Sequence, residues 1–294
     1  MEIAVVSGKG GTGKTFIASN LAFYLNTRVS PTVAVDADVE EPDLILALGG
    51  VKETVEVLSI GNATKVRIVE EKCIKCLKCL NNCRFKAITL LDDKPFVKEE
   101  LCEGCMLCAL LCPADAIEEY VKVIGRLYVV KTRYGELNVV YGDLEIGERA
   151  TGKLVFDVKE RARKVASNIK AKYIIVDSAA GIGCPVISSI SGSDLTLIVV
   201  EPSITSITGA KRALKIARTL KSKPLVIVNK YDLNPDLAGK IKEELDAEII
   251  GYIPYDTGIV EAYTSMKPYL IYGGKDKAYS SLVKLLEDLV STVI

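Results

Sequence analysis

Residues 8 to 15 read Gly8-Lys9-Gly10-Gly11-Thr12-Gly13-Lys14-Thr15. The apolar run Ile3-Ala4-Val5-Val6 leads in, and Phe16-Ile17-Ala18-Ser19-Asn20-Leu21-Ala22 leads out. Strand, glycine loop and helix in that order are what a phosphate-binding loop requires. Glycines let successive backbone N–H groups turn toward one anion. The helix N-terminus adds partial positive charge at the same point. In this pattern Lys14 reaches the β- and γ-phosphates, and the Thr15 hydroxyl ligates Mg2+. A turn serving only to pack strand on helix would not need all of these residue types at these positions.

Further apolar runs end in polar residues. Thr32-Val33-Ala34-Val35 leads to Asp36-Ala37-Asp38, and Tyr173-Ile174-Ile175-Val176 leads to Asp177. Carboxylates at the C-terminal ends of buried strands border the ligand crevice of a doubly wound sheet. Four apolar residues before Asp177 make a Walker B arrangement, whose carboxylate holds Mg2+. Gly181 follows in a loop suited to sensing a γ-phosphate with its N–H. Leu225-Val226-Ile227-Val228 ends in Asn229-Lys230-Tyr231-Asp232. The Asn229 amide can bond a purine ring, but N-K-x-D also spells a guanine-reading motif, so these four residues leave the base open. After the last strand, Pro254, Tyr255 and Asp256 are expected to flank that base. Cys184 reads as a buried small apolar residue. Thr151-Gly152-Lys153-Leu154 reads as a turn into another strand, followed by a helix over 158–169. There Arg161, Arg163 and Lys164 form a solvated face. The last helix, about 276–292, has leucines at core-packing spacing.

Between these halves the composition changes. Cys73, Cys76, Cys79 and Cys83 follow C-x2-C-x2-C-x3-C, and Cys102, Cys105, Cys108 and Cys112 repeat it 29 residues later. This is an internal duplication. The run is that of bacterial ferredoxins, in which the fourth cysteine ligates the other cluster. The similarity implies one [4Fe–4S] cluster on Cys73, Cys76, Cys79 and Cys112. It implies a second on Cys102, Cys105, Cys108 and Cys83. Pro113 follows the second run, but Arg84 stands at the matching place in the first, so the two loops are expected to differ.

Composition narrows the classes. The 294 residues are 49% hydrophobic, and 38 basic balance 38 acidic residues. Bulk charge therefore gives no support to binding nucleic acid or an anionic membrane. No apolar stretch approaches the roughly 20 residues of a membrane span. The N-terminus runs straight into a strand, unlike a signal peptide, so a cytoplasmic location is expected. Histidine is absent, so hydrolysis must proceed without imidazole and metal ligands must be sulfur or oxygen.

Lys9 after Gly8, with Asp36-Ala37-Asp38, Asp177-Ser178-Ala179-Ala180-Gly181 and Gly183-Cys184-Pro185, resembles the deviant Walker A family of MinD, ParA and Mrp ATPases. The likeness covers the chain outside the cysteines. It implies an α/β fold: a doubly wound, mostly parallel P-loop NTPase sheet of the SIMIBI type with an inserted α+β ferredoxin-like domain. The ATPase domain would comprise 1–62 and 122–294, with the insert at 63–121. The resemblance gives Lys9 a phosphate contact across an ATP-sandwiched dimer and Asp38 the attacking water. It gives Asp36 and Asp177 the Mg2+, and Asn229 and Pro254 the adenine. Phe16 stands where many relatives carry a hydroxyl touching the α-phosphate. The implied activity is ATP hydrolysis with Mg2+ in a nucleotide-dependent homodimer, coupled to two [4Fe–4S] clusters. The further partner would be a redox protein or an apoprotein client. The alternatives are a positioning or partition ATPase with structural or sensory clusters, and a GTP-specific switch. The basic surface or membrane-seeking helix usual in positioning proteins is not visible.

Overall fold

The computed structural model describes residues 1–60, 63–146, 148, 152–274 and 276–292. In chain order the strands are β1 Glu2–Val6, β2 Thr32–Asp36, β3 Val51–Ile60, β4 Ala63–Ile68, β5 Ile88–Leu91, β6 Lys94–Val97, β7 Ile117–Lys122, β8 Gly125–Thr132, β9 Asn138–Leu144, β10 Tyr173–Asp177, β11 Leu195–Val200, β12 Lys223–Asn229 and β13 Ile249–Ile253. The helices are α1 Lys14–Arg28, α2 Leu44–Ala47, α3 Lys78–Asn82, α4 Leu107–Leu110, α5 Gly152–Asn168, α6 Cys184–Ile190, α7 Ile204–Thr219, α8 Pro235–Glu244, α9 Thr257–Thr264, α10 Tyr269–Tyr272 and α11 Lys277–Thr292. The chain forms two compact units. One is Met1–Leu58, Leu127–Asp143 and Ala150–Ile294; the other is Ser59–Arg126 and Leu144–Arg149.

The first unit is built on a sheet of order β13-β12-β11-β1-β10-β2-β9-β8-β3. Its pairings from β13 through β9 are parallel. Strands β1, β2 and β11 are buried along their whole length. Their continuous Val and Ile runs suit strands covered on both faces. Ile3 and Val5 pack with α1 and α11, through Leu21, Leu25, Leu282 and Leu286. Ala4 and Val6 pack with α6 and α7, through Val186, Ile190, Ala210 and Leu214. Alternate residues of one strand thus face two helical layers, as period-two side chains in a doubly wound sheet must. Where α7 crosses the loop after β1, a Cβ on Gly209 would lie 2.6 Å from the Gly8 Cα.

The expected turn at Thr151–Leu154, leading into a strand, is corrected by the structure. Thr151 lies outside the described residues, and from Gly152 the chain is already in α5. Leu154, Val155, Val158, Ala162, Val165 and Ala166 form its buried stripe. That is helical spacing, and tertiary burial of the stripe overrides the turn-like Thr-Gly-Lys. The same helix buries Lys159, which is 2% exposed. Its Nζ donates to the carbonyls of Ser188, Ser189 and Ser191 and pairs with Glu2 at 2.9 Å. Lys159 therefore caps the C-terminal end of α6 and ties it to β1. Burial pushes its ammonium below the usual lysine range, against the pull of Glu2. Arg163 is also engaged, with Nε 2.9 Å from Glu2, so this face is only partly solvated.

The second unit repeats itself. A 3-10 turn at Glu70–Lys72 recurs at Glu99–Leu101, α3 recurs as α4, and β5 recurs as β7. Left-handed residues at Lys75, Leu77 and Lys86 recur at Gly104, Met106 and Asp115. The halves interlock, because β4 pairs antiparallel with β7 and β6 with β5. Each first strand thus bonds to the other half's second strand.

Alanine is normally favoured over glycine inside a helix, by about 1 kcal/mol. At Gly209 the sign is expected to reverse. Gly209→Ala should destabilise the protein by about 1–3 kcal/mol, the usual cost of overpacking, read from urea unfolding curves.

Candidate functional site

The strand register gathers the first set of candidate residues. Val5 pairs with Asp177, and Asp177 with Asp36, so two carboxylates stand side by side at strand ends. The loop after β1 turns back over them. Gly13, at φ 94°, is in the left-handed region and starts α1. A Cβ there would meet the Asn229 side chain at 2.2 Å. Lys14 is buried, and its Nζ donates to Asp177 Oδ1 at 3.0 Å. Burial works against its charge, but Asp177 and Asp36 more than compensate and hold the ammonium above the usual lysine range. Asp36 accepts from the backbone N–H of Asp38 at 3.0 Å and of Leu44 at 2.8 Å. Burial, then the neighbouring Asp177 charge, drives Asp36 well above the usual carboxylate range. Half-buried Asp38 is also raised, by burial first, with Lys14 opposing. Two buried acids against one buried cation are short of positive charge, and a divalent ion beside Asp36, Asp177 and Thr15 would supply it.

Asn229, at the end of β12, donates through Nδ2 to the Thr12 carbonyl at 2.8 Å. Its Oδ1 and the Thr12 hydroxyl are buried without a partner. A buried amide oxygen left unpaired is an acceptor available to a ligand. Asp232 is committed elsewhere, since its Oδ1 accepts from the Tyr255 N–H at 2.6 Å. Asp256 caps α9 through the Gly258 N–H at 2.7 Å and accepts from the Tyr269 hydroxyl at 2.8 Å. Pro254 is buried after β13, and Tyr255 is exposed. Phe16 packs edge-on against Tyr269 with ring centroids 5.6 Å apart. The Gly181 N–H donates to the Ser7 carbonyl at 3.0 Å.

Lys9 lies 2.6 Å from Glu201 in its own chain. Lys230 reaches the other oxygen of Glu201 at 3.4 Å and the Gly11 carbonyl at 2.6 Å. Sequence reading did not single out Glu201 or Lys230, although a carboxylate just after a buried strand was the available signal. Cys184 is another correction: it is exposed. The buried stripe of α6 starts two residues later, at Val186. The balanced total charge also conceals a local imbalance. No carboxylate occurs between Glu201 and Asp232, while Lys211, Arg212, Lys215, Arg218, Lys221 and Lys223 all do, and all six are exposed. Lys211 and Arg218 pair with Glu244 and Asp246.

In the second unit, the larger of two cysteine-lined cavities is lined by Cys83, Cys102, Cys105 and Cys108. The smaller is lined by Cys73, Cys76, Cys79 and Cys112. The Ala87 N–H donates to Cys83 Sγ and the Ala116 N–H to Cys112 Sγ, both at 3.3 Å. Among the described residues, no three His, Cys, Asp or Glu side chains converge as the ligands of a single metal ion do. Four cysteines line each cavity.

A parallel doubly wound sheet, a glycine loop on a helix N-terminus and facing strand-end carboxylates define a P-loop nucleotide-binding protein. The profile of the CobQ/CobB/MinD/ParA nucleotide-binding domain matches residues 3–269. The chain belongs to this family of P-loop ATPases. An uncharacterised protein of Methanocaldococcus jannaschii is 31% identical over 297 residues, covering 100% of this chain and 98% of the relative. An iron–sulfur cluster carrier protein of Saccharolobus solfataricus is 22% identical over 289 residues, covering 92% and 76%. The septum site-determining protein MinD of Pyrococcus horikoshii, solved with Mg-ADP, shares the fold at TM-score 0.59 and 19% identity, covering 99% and 97%. No helix among the described residues is long and apolar enough to cross a membrane.

Lys14→Met removes the one cation from between two buried acids. Breaking a buried pair in this way costs about 3–5 kcal/mol. Calorimetry on nucleotide-free protein at neutral pH should show that loss. The loss should shrink on acidification, as a carboxylate takes up the proton that replaces the lysine charge. Binding of Mg2+-ATP should be abolished.

Proposed function

We propose that this protein is an iron–sulfur ATPase, in which Mg2+-ATP bound at residues 8–15 controls two [4Fe–4S] clusters held by the second unit. The observation that carries the reading is the composition of the two cavities. Each has three cysteines of one run and the fourth of the other, the ligand exchange of two-cluster ferredoxins. In a cubane each cysteine ligates a different iron, and C-x2-C-x2-C-x3-C suits that better than the separated ligand pairs of a zinc site. The N–H groups on Cys83 and Cys112 suit thiolate ligands, since hydrogen bonds to the sulfurs tune such centres. Bound clusters would supply one-electron chemistry.

On the nucleotide side, Lys14 and the loop N–H groups would stabilise charge on the transferred phosphoryl. Asp36, Asp177 and Thr15 would hold Mg2+, Asp38 would orient water, and Asn229 would meet adenine. Asp232 is engaged with the Tyr255 backbone, which favours adenine over guanine. Lys9 would exchange Glu201 for a phosphate across a homodimer. In chain order the cysteine unit is inserted between the loop carrying Asp38 and the loop carrying Asp177. Electron transfer is favoured over cluster delivery, because each cluster would be tied to both halves of an interlocked unit.

Anaerobically purified protein is expected to hold about eight irons per chain, with an EPR signal on reduction. A count below about four overturns the reading. ATP turnover should differ between oxidised and reduced protein, with ATP preferred over GTP in competition. Identical turnover in both redox states overturns the coupling.

A second reading, a positioning ATPase acting on DNA, is favoured by α7 and its exit, where Arg212, Lys215, Lys221 and Lys223 are exposed. Fluorescence anisotropy with duplex DNA tests it. ATP-dependent binding should weaken steeply with salt, and each lysine lost from the contact should reduce the log–log slope by about 1. Absence of binding at low salt removes this reading.

A further inference from the structure

The two halves of the cysteine unit differ at one pair of matching lysines. Lys65 in β4 and Lys94 in β6 occupy equivalent positions, 29 residues apart. Lys65 turns inward and is 8% exposed. Its Nζ donates to the carbonyls of Cys102 at 2.7 Å and Glu99 at 3.0 Å. Both partners are neutral, and one belongs to a cysteine of the larger cavity. Lys94 turns outward to the Glu70 carboxylate at 2.6 Å, with both side chains at least half exposed. One half thus holds a buried cation without a carboxylate of its own. The other half holds a solvated, neutralised ion pair.

The remaining charges do not reverse this difference. The Glu99 carboxylate also feels the Lys65 charge, but its hydrogen bonds go to Lys122 at 2.5 Å and to the Tyr120 hydroxyl. Lys122 in turn also meets Glu148 at 3.1 Å. Arg84 and Glu103 line the larger cavity, Lys78 lines the smaller, and Lys75 lies with Glu70 and Lys94 beside Cys73. All four are exposed, and exposed charges are screened by solvent and salt. A charge held out of water acts through a lower effective dielectric and is felt more strongly.

We propose that Lys65 sets the two clusters at different reduction potentials, raising the one held by Cys83, Cys102, Cys105 and Cys108 above its partner. The inference rests on the cluster reading given above. Reduction adds one electron and one negative charge to a cluster, so a nearby buried cation stabilises the reduced form. The neutralised Lys94–Glu70 pair gives the other cluster no such help. An electron entering from a low-potential donor then comes to rest on the Lys65 side.

The test is an anaerobic EPR redox titration of the full chain, with dithionite as reductant, after an iron count. Wild type should show two waves whose reduced-to-oxidised ratios differ at least tenfold at a common poise, about 59 mV for one-electron couples. Lys65→Met should lower the upper wave at least tenfold in that ratio, and Lys65→Arg should restore it. Glu70→Gln, at an exposed and solvent-screened pair, should move the lower wave by less than Lys65→Met moves the upper one. If Lys65→Met fails to retain iron, Lys65→Gln, which keeps a donor for the same carbonyls without the charge, decides the matter by whether the upper wave falls. Coincident wild-type waves, or an unmoved upper wave in full-iron Lys65→Met or Lys65→Gln, overturn the proposal and leave the cluster reading standing. A wild-type chain that takes up no iron overturns both.

Discussion

The buried contact between Lys14 and Asp177, with Asp36 alongside, constrains the nucleotide unit more than any other. It places a positive charge and two carboxylates in one water-poor spot at the ends of three adjacent strands. Such a cluster is tolerable only if geometry supplies partners for every charge. The backbone N–H groups of Asp38 and Leu44 serve Asp36, and Asp177 serves Lys14. The loop conformation, the start of α1 and the register of β1, β10 and β2 must all agree for this to hold. A glycine loop satisfies that demand because Gly13 can take φ 94° and Gly8 can lie against Gly209.

The same economy governs the cysteine unit by a different route. It has few buried apolar residues of its own; Val66, Ala87, Cys102 and Ile117 make up its compact core cluster. A small unit with so little to bury usually depends on metal or covalent ties. Interlocked halves, with β4 on β7 and β5 on β6, make any such tie serve both halves at once. Duplication supplied identical backbones, and side chains then diverged where Lys65 turned in and Lys94 turned out.

Much of this was legible from local patterns. The β1 strand, the loop and α1 are encoded in the single continuous stretch Glu2 to Arg28, and the cysteine spacing repeats without a gap. The parallel strands announced themselves as unbroken Val and Ile runs. What was not legible depended on partners distant in sequence. Helix α5 begins at a sequence that spells a turn, because its stripe is fixed by burial. Lys159 looks like a surface residue until Ser188, Ser189 and Ser191 come to meet it. Cys184 looks apolar until its helix presents the next turn to the core. The α7 cations vanish in a balanced total, and only their alignment on one helix reveals them. Asp232 reads as a base-recognition residue in sequence, yet the backbone of Tyr255 claims it.

Lys159 also has a mechanical meaning. By gripping three carbonyls at the end of α6 and the Glu2 carboxylate at the start of β1, it fastens the far end of that helix to β1. Asp177 fastens the near side of the connection to β2 and Lys14. Between these anchors lie residues 178–183 and the first turn of α6. The Ser191 end of α6 is therefore held by charge as well as packing, while nearer Cys184 the Ser188 hydroxyl holds the Gly152 carbonyl at 2.7 Å.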